Sequence, residues 1–376
     1  MQSPPSSIQI NTISFNPDGS LCVIGTNTCF AIFSPITFSI LYIHPTKHPI
    51  HCIRILNTSN ILCYISGLST KVKLFDIVSS RIISIYTASH RVLSLHINPY
   101  HLFILTSTTI DIINLRDMTC IGSVATTPTN TNCVFAETST PQGSTIVYAY
   151  TKASDVGVIP HFKTQSDFTT ATSADVHFWA HSSSIACLAI NNEATLITTC
   201  SENGTLFRVF NLQGEIAYEF RRGIDKAVIK CICFDYNSDF IACCTDKGMV
   251  HVFLLSVNGV YAGWNDKWKN RHVFSKLNTQ QGLLGSMMKL ISAPKRLVEG
   301  QRSYAVFRME GNAVKVAFYG KEEEGLVLEV VSTEGIFYKV EVNRREGGEL
   351  GEVMAVDVVE KIEEEFTRKK EEGGSK

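Results

Sequence analysis

The chain has few charged residues, and its cysteines show no regular spacing. Each of these two absences excludes a class of protein. Charged residues are only 18% of the 376 residues and hydrophobic residues are 44%, which excludes a disordered chain. The net charge is −1, so electrostatic attraction to a partner must come from local patches. The 12 cysteines include no Cys-x-x-Cys pair, and most lie in apolar runs. They are therefore interpreted as small buried hydrophobes in a reducing compartment.

Segments that target or cross membranes are also missing. The first residues, 1–7, carry no basic region followed by an apolar region, so no signal peptide is predicted. No apolar run approaches the roughly 18 residues that span a bilayer. We therefore expect a cytoplasmic protein with a disordered stretch at 1–7, whose membrane contacts are peripheral.

Motifs of catalysis are absent as well. The sequence contains no Gly-x-Ser-x-Gly elbow, no phosphate loop and no His-Glu-x-x-His motif. No spacing groups carboxylates or metal ligands into one site. We expect no catalytic residue, no metal and no cofactor, and hence a binding protein that is not an enzyme.

What the sequence does contain is a repeat. A unit of strand-like runs separated by turn residues extends from Ile185 to Phe210 and recurs from Ile229 to Phe253. The two copies are offset by 44 residues at their starts and 43 at their ends, and weaker copies begin near Ile10 and elsewhere. Units of about 40–45 residues with four strands each are typical of WD-type propeller blades. The count predicts seven.

The predicted architecture is all-β, a seven-bladed WD-type β-propeller over 8–345. A long loop, 255–303, is expected within blade six, and a strand around Ile8–Ile10 is expected to complete the last blade and close the ring. Residues 346–376 contain ten Asp or Glu and five Lys or Arg. We expect a solvated charged tail there, with a helix over Val353–Lys370 as the alternative.

The segment Tyr218–Gly223 is predicted to form the last strand of blade five and its exit. Successive side chains of a strand point to opposite faces, so Arg221 and Arg222 should face different neighbouring blades. A guanidinium is a planar fork that suits phosphate. Phe220 is expected to anchor the strand in the core, and Gly223 to let the backbone turn.

Two adjacent arginines on an outer strand are commonly only solvated surface charges. Their position at a blade junction, with polar residues in both flanking repeats, favours a binding function instead. On the blade-five side these polar residues are His181, Ser184, Thr205 and Arg208; on the blade-six side they are Thr245, Lys247 and His251.

At these residues the sequence resembles the PROPPINs, β-propellers that bind polyphosphoinositides and include the WIPI proteins of autophagy. The resemblance is carried by Ala180-His181, Phe220-Arg-Arg-Gly223, Asp246–Phe253, Arg302–Arg308 and Gly335–Val340. It implies membranes carrying phosphatidylinositol 3-phosphate and 3,5-bisphosphate as partners, together with autophagy proteins and no nucleic acid. It also implies a role in autophagosome formation and vacuolar or endosomal trafficking, on pre-autophagosomal, endosomal or vacuolar membranes.

Two lipid sites follow from this resemblance, one for each arginine. The first would use His181, Ser184, Thr205, Arg208 and Arg221, and the second Arg222, Thr245, Lys247 and His251. Cys244 and Met249 stand where the family has hydroxyl residues, and neither offers a comparable hydrogen bond to phosphate. We therefore expect the second site to be weaker. Each histidine has a structural hydrogen-bonding role as its alternative.

The long loop is basic and partly apolar. Over 255–303 it carries eight Lys or Arg and two acidic residues, a net charge of 8 − 2 = +6. If its centre is helical, one broad face is apolar, formed by Leu283, Leu284, Met287, Met288 and Ile291. This composition suits a helix that inserts into a lipid surface, as the resemblance also implies. The alternatives are a disordered loop or a helix packed on the propeller, and for the whole chain a WD-repeat protein-interaction scaffold that binds no lipid.

Overall fold

The computed structural model describes residues 8–125, 133–150, 155–173, 176–257, 260–261, 301–309, 313–319, 325–343 and 350–373. Seven antiparallel blades of four strands succeed one another along these residues. A two-residue strand pairs in parallel with the outer strand of blade five, and three two-residue strands precede the fourth strand of blade six in the chain. The prediction of a seven-bladed all-β propeller is therefore confirmed. Neither helix of the described part is long and apolar enough to cross a membrane.

The strands of blades one to four, in chain order, are β1 (Ile10–Phe15), β2 (Cys22–Thr26), β3 (Cys29–Ser34), β4 (Ser39–Pro45); β5 (Ile50–Ile55), β6 (Ile61–Ser66), β7 (Lys71–Asp76), β8 (Arg81–Thr87); β9 (Val92–Ile97), β10 (His101–Thr106), β11 (Thr109–Asn114), β12 (Cys120–Ala125); β13 (Cys133–Thr140), β14 (Gly143–Tyr150), β15 (Asp155–Phe162) and β16 (Val176–Trp179). Helix α1 (Gln165–Ser173) lies between β15 and β16.

The strands of blades five to seven are β17 (Ile185–Ile190), β18 (Leu196–Ser201), β19 (Leu206–Asn211), β20 (Ile216–Arg221); β21 (Ile229–Phe234), β22 (Phe240–Thr245), β23 (Met249–Leu254), β27 (Ala305–Arg308); β28 (Ala313–Tyr319), β29 (Gly325–Ser332), β30 (Ile336–Asn343) and β31 (Leu350–Asp357). Three two-residue strands, β24 (Ser256–Val257), β25 (Val260–Tyr261) and β26 (Gln301–Arg302), lie between β23 and β27, and helix α2 (Val358–Gly373) follows β31.

The first turn of several blades is closed by the side chain of the residue that follows the first strand. The Oδ1 atoms of Asn16 and Asn191 accept hydrogen bonds from backbone amides five residues later, each at 2.9 Å, and Asp235 Oδ1 does the same at 2.7 Å. Asn and Asp favour such turns because their short side chains can reach backbone amides nearby. This repeated turn is the local reason for the sequence repeat.

The same asparagines also join neighbouring blades. Asn16 Nδ2 donates to the carbonyl oxygen of Asn57 in blade two at 3.2 Å. Asn191 Nδ2 donates to the hydroxyl of Ser238 in blade six at 2.9 Å. Burying these amides is favourable because their hydrogen bonds are made, so each contact fixes one blade against the next.

Apolar side chains fill the spaces between adjacent sheets. Between blades one and two, for example, the rings of Phe30 and Phe75 meet edge to face at 5.4 Å. The second strands β2, β10 and β18 are buried along their whole length, because neighbouring blades cover both of their faces. Each fully buried Phe contributes roughly 1.5–3 kcal/mol relative to exposure.

The ring closes differently from the sequence-based prediction, which assigned a strand around Ile8–Ile10 to the last blade. That prediction was wrong: β1 pairs with β2 of its own blade, and β31 completes blade seven. Closure depends on side chains, with Phe337 of blade seven 5.1 Å from Phe33 of blade one. A Cβ at Gly335 would lie 2.9 Å from Ile10, so the two blades approach closely here.

The predicted solvated tail at 346–376 was also wrong for the described residues. Its first part forms β31, which moves the end of the propeller from 345 to Asp357, and its second part forms α2. Asp357 Oδ1 caps α2 by accepting from the amides of Val359 and Glu360. Val358 and Ile362 are buried in the blade-seven/blade-one core. Glu360, Glu363 and Glu364 are exposed on the other side of the helix.

We expect Ile362→Ala to destabilise the protein by about 2–5 kcal/mol, because Ile362 is fully buried in the core between blades seven and one. The measurement is urea unfolding followed by circular dichroism. Glu364→Ala on the exposed side of α2 is the matched control and should change stability by less than about 0.5 kcal/mol. Equal effects of the two substitutions would contradict docking of α2.

A second prediction concerns Glu329 in blade seven, which is 0% exposed and has no hydrogen-bond partner for either carboxylate oxygen. Burial holds its pKa well above the ordinary value, with Asp18 adding to the rise and Lys339 opposing it. The native state therefore binds this proton more tightly than the unfolded state, and stability falls as pH rises above about 4.3.

Glu329→Gln removes this dependence, so its stability relative to wild type should improve between pH 5 and pH 7, by up to about 1.4 kcal/mol per pH unit. Urea unfolding at several pH values measures the difference. Glu341→Gln, an exposed position on β30, is the control and should follow the wild type. Parallel pH profiles for wild type and Glu329→Gln would contradict a protonated Glu329.

Candidate functional site

The outer strand of blade five is fixed by Phe220. Its side chain is fully buried, lies 5.1 Å from the ring of Phe253 in blade six and stacks on Tyr218 at 5.9 Å. It also pairs across the sheet with Phe207. Phe220 therefore anchors the strand between blades five and six, which sets the orientation of the residues that follow.

Arg221 and Arg222 diverge from this anchor. In the register of β19 and β20, Arg221 lies opposite Leu206 and Glu219 opposite Arg208, so these side chains share one face. That face looks toward blade four, because Arg208 Nη1 donates to the carbonyl oxygen of Ala180 at 2.8 Å. Arg222 lies on the blade-six side, where its charge acts on His251. Two separate clusters of polar residues result.

Of the residues predicted for the first site, His181 and Arg208 already make side-chain hydrogen bonds within the protein. His181 is 4% exposed and bonds through Nε2 to the hydroxyl of Thr199 at 3.0 Å. Burial and the nearby Arg208 lower the pKa of His181 to about 4, so its imidazole is neutral. Arg208 is held by Glu219 through a 2.8 Å Nε–Oε2 contact.

Ser184 and Thr205 are the two hydroxyl residues predicted for the first site. Neither hydroxyl makes a hydrogen bond to another described residue, and both residues are half-buried. The carbonyl oxygen of Thr205 accepts from the amide of Arg222, and that of Ser184 from the amide of Glu202. The backbone thus holds both residues in place while their hydroxyls stay open to a ligand.

In the cluster around Arg222, the side chains of Arg222, Lys247 and Thr245 make hydrogen bonds to backbone groups of the protein. Arg222 Nε donates to the carbonyl oxygen of Gly204 at 2.5 Å, and Nη2 donates to that of Asp225. Lys247 Nζ donates to the carbonyl oxygen of Lys226 at 3.0 Å. Thr245 is fully buried, and its hydroxyl accepts from the amide of Met249 at 3.1 Å. A ligand here would have to compete with these internal hydrogen bonds.

His251 is the exception in the second cluster. Its Nδ1 bonds to the hydroxyl of Ser303 at 3.0 Å, while its Nε2 is buried without a hydrogen-bond partner. Burial and the charge of Arg222 lower the pKa of His251 to about 3, so the ring is neutral. His251 could therefore offer a ligand a hydrogen bond but not a charge.

The two departures from the family pattern have different consequences. Cys244 lies in the apolar cluster between blades six and seven, together with Val250, and so points away from Arg222. Met249 shares the face of His251 and Phe253, which looks toward blade five, because alternate residues of β23 share a face. The reasoning that Cys244 weakens the second site was therefore wrong, whereas the weakening by Met249 stays a prediction.

Sequence reasoning missed several residues near this edge. Ser303 lies 52 residues from its partner His251, and β26, with Gln301 and Arg302, pairs in parallel with Phe220 and Arg221. No local pattern signals either contact. Ile224, just beyond the motif, is 70% exposed, although its apolar character alone predicts burial.

The structure does not describe the residues predicted to insert into lipid. Leu283, Leu284, Met287, Met288 and Ile291 lie outside the described residues, as does the stretch 1–7. Of the predicted loop, the described parts include β24 and β25 on its first side and β26 on its second.

Fold and site together define a seven-bladed β-propeller with two arginine-centred polar clusters flanking the outer strand of one blade. A family-wide sequence model, PROPPIN, matches residues 9–351. The chain belongs to the PROPPIN family, as its resemblance to these proteins predicts.

Curated relatives agree with this assignment. Autophagy-related protein 18 of Caenorhabditis elegans is 26% identical over 91% of this chain and 77% of its own length. Autophagy-related protein 18e of Arabidopsis thaliana is 29% identical over 46% of this chain, and the match spans only 41% of that protein.

Solved structures share the fold. Kluyveromyces lactis Hsv2 superposes with a TM-score of 0.68 at 19% identity, covering 93% of this chain and 99% of its own. The structure of KlAtg21 in complex with the coiled-coil of AgAtg16 gives a TM-score of 0.69 at 16% identity, covering 93% and 100%. At these identities the likeness concerns the architecture alone.

Proposed function

We propose that this PROPPIN is a peripheral membrane adaptor that binds phosphatidylinositol 3-phosphate and 3,5-bisphosphate through the edge of blade five. The observation that carries the proposal is the divergence of Arg221 and Arg222 into polar clusters on opposite sides of one strand. Each cluster would receive one headgroup. The proposed setting is autophagosome formation and related vacuolar or endosomal trafficking, in line with the names of the relatives.

The chemistry at the first site follows from its donors. Arg221 would supply charge-assisted hydrogen bonds to phosphate, and the uncommitted hydroxyls of Ser184 and Thr205 would add neutral ones. His181, held neutral by burial, would position Thr199 rather than contribute charge. Arg208 would remain paired with Glu219 and shape the wall of the site.

The second site would bind more weakly, because Arg222 and Lys247 already donate to backbone carbonyl oxygens. Two weak headgroup sites on one rigid blade still give strong attachment to a membrane, since the second contact becomes intramolecular once the first has formed. This avidity would be the purpose of placing one arginine on each side of the strand.

The backbone beyond the motif suits close approach to a membrane. A Cβ added at Gly223 would meet no atom within 4 Å, so packing inside the propeller does not require a glycine there. Ile224 is 70% exposed, and Asp225 and Lys226, which are also exposed, follow it. An apolar and a basic side chain next to two phosphate sites would both interact favourably with an anionic bilayer.

The basic segment 255–303 would supply the remaining attachment. Its net charge of +6 favours anionic lipid, at about 1 kcal/mol for each basic residue near the surface. Leu284 and Met288 lie on its predicted apolar face. Edge-on attachment would leave the two flat faces of the propeller free for proteins of the same pathway.

The competing function is a protein-interaction scaffold without lipid binding. A related propeller, KlAtg21, has been solved with the coiled-coil of AgAtg16, so protein binding occurs on this fold. Such a scaffold would not need the arginines of blade five, and this difference separates the two functions experimentally.

We expect the protein to sediment with liposomes containing phosphatidylinositol 3-phosphate and Arg221→Thr/Arg222→Thr to lose about 90% or more of that binding, because both phosphate anchors are removed. Arg221→Ala alone should weaken binding more than Arg222→Ala alone, since Arg222 already donates to two backbone carbonyl oxygens and the nearby Met249 offers no hydrogen bond to phosphate.

The matched control for charge is Lys71→Thr/Arg81→Thr, which removes two exposed cations from blade two. It should bind as the wild type does. Wild-type protein that stays in the supernatant, or a double arginine variant that sediments like the control, would refute lipid binding at this edge.

Replacement of Leu284 and Met288 by Asp should weaken liposome binding several-fold, where a tenfold loss of affinity corresponds to about 1.4 kcal/mol of binding free energy. The melting temperature of the propeller should not fall. Replacing Ser286 and Asn278 by Asp adds the same charge within the same segment outside the apolar face and is the control. Equal binding by both variants would favour a loop that does not enter lipid.

A further inference from the structure

The first strands of all seven blades line an axial channel. It contains a cavity of about 450 Å³. Four aromatic rings from different blades stand on its wall, Phe15, Phe135, Phe234 and Phe318. The proposed lipid-binding edge is formed by the fourth strand of blade five, so the channel lies at the opposite edge of the blades. Nothing in the lipid-binding function uses it.

The charges that line this channel are unbalanced. Arg54 of blade two, Lys230 of blade six and Lys315 of blade seven are its cations, and Glu137 of blade four is the one carboxylate among the described lining residues. Within the described part of the chain, neither Arg54 nor Lys315 has an ion-pair partner. The single hydrogen bond of the Arg54 guanidinium goes to the carbonyl oxygen of Ile53, at 2.8 Å.

Arg54 and Lys315 act on the same part of the channel, although they come from different blades. Both lower the pKa of His96 in blade three, in addition to the larger effect of burial. Arg54 also acts on Glu137, and Lys315 on Cys187 of blade five. Because such effects fade with distance, both positive groups lie near the axis, each within reach of several blades.

Glu137 does not neutralise these two cations. Its carboxylate accepts a 2.6 Å hydrogen bond from Nδ2 of Asn98, a neutral partner in blade three. Burial raises the pKa of Glu137 to about 7, although Arg54 and the hydrogen bond oppose the rise. Near neutral pH part of the carboxyl groups is therefore uncharged, and even the ionised carboxylate leaves an excess of positive charge among the described lining residues.

Two half-buried cations that share a partly enclosed space repel each other, and apolar walls strengthen that repulsion. Packing gives no reason for this arrangement, since the long side chains face a cavity rather than fill one. A bound anion would convert the repulsion into two charge-assisted contacts. Binding sites are commonly concave, mostly apolar pockets in which a few polar or charged groups converge.

We propose that the axial channel binds a small soluble phosphate-bearing anion between Arg54 and Lys315. The guanidinium of Arg54 would hold one phosphate in bidentate fashion, and the ammonium of Lys315 would neutralise a second negative charge. A ligand with at least two negative charges matches two cations, and the cavity volume suits a compact molecule without acyl chains.

The test is isothermal titration calorimetry at pH 8 and physiological salt, with inorganic pyrophosphate and with inositol hexakisphosphate as probes. We expect Arg54→Gln/Lys315→Gln to bind at least about tenfold more weakly than wild type, because both charge-assisted contacts are lost. The outer-surface control Lys71→Gln/Arg81→Gln should bind within about twofold of wild type.

Two further variants separate the channel from the lipid edge and from general charge effects. Arg221→Thr/Arg222→Thr should keep the affinity for pyrophosphate, whereas Arg54→Gln/Lys315→Gln should keep its sedimentation with liposomes. Glu137→Gln, which removes the opposing carboxylate and retains a side chain able to bond Asn98, should tighten pyrophosphate binding by about two- to fivefold.

Wild type that binds neither probe would overturn the channel site, as would equal affinity in wild type and Arg54→Gln/Lys315→Gln. Loss of pyrophosphate binding in Arg221→Thr/Arg222→Thr would overturn it too, because the anion would then be held at the rim. If the double channel variant does not fold, Lys315→Gln alone decides, with a loss of at least about threefold expected.

Discussion

The packing of every blade against both of its neighbours is the interaction on which this molecule depends. A four-stranded blade has two apolar faces, and only a closed ring can cover both of them. The clusters between sheets, such as Phe30 on Phe75, and the asparagine contacts between blades are repeated solutions to that problem. Closure between blades seven and one uses the same kind of contact, reinforced by α2, without an exchanged strand.

The proposed lipid-binding edge derives its geometry from this packing. Phe220 is buried because blades five and six must meet, and its burial fixes the direction of the arginines after it. Burial of their own rings keeps His181 and His251 uncharged, so the positive charge of the clusters comes from their arginines and from Lys247. The opposite edge of the blades carries the channel, whose cations are brought together by ring closure itself.

Much of this could be predicted locally. The 44- and 43-residue offsets reflect one blade length, and the Asn or Asp turn after the first strand repeats because each blade needs that turn. The divergence of Arg221 and Arg222 follows from the two-residue period of a strand. The expectation of a solvated tail failed at β31, because high charge density masked the alternating strand that pairs with β30, whereas α2 overlaps the helix predicted as the alternative.

The sequence by itself determined the repeat, the number of blades and the two faces of the strand that ends at Arg221, because these depend on spacing and on residues close together in the chain. Only the tertiary structure decided which side Cys244 faces, how the ring closes, and that Ser303 meets His251 across 52 residues. It also decided that Arg54 and Lys315 share one channel. These contacts join distant segments, and only the closed ring of blades brings such segments together.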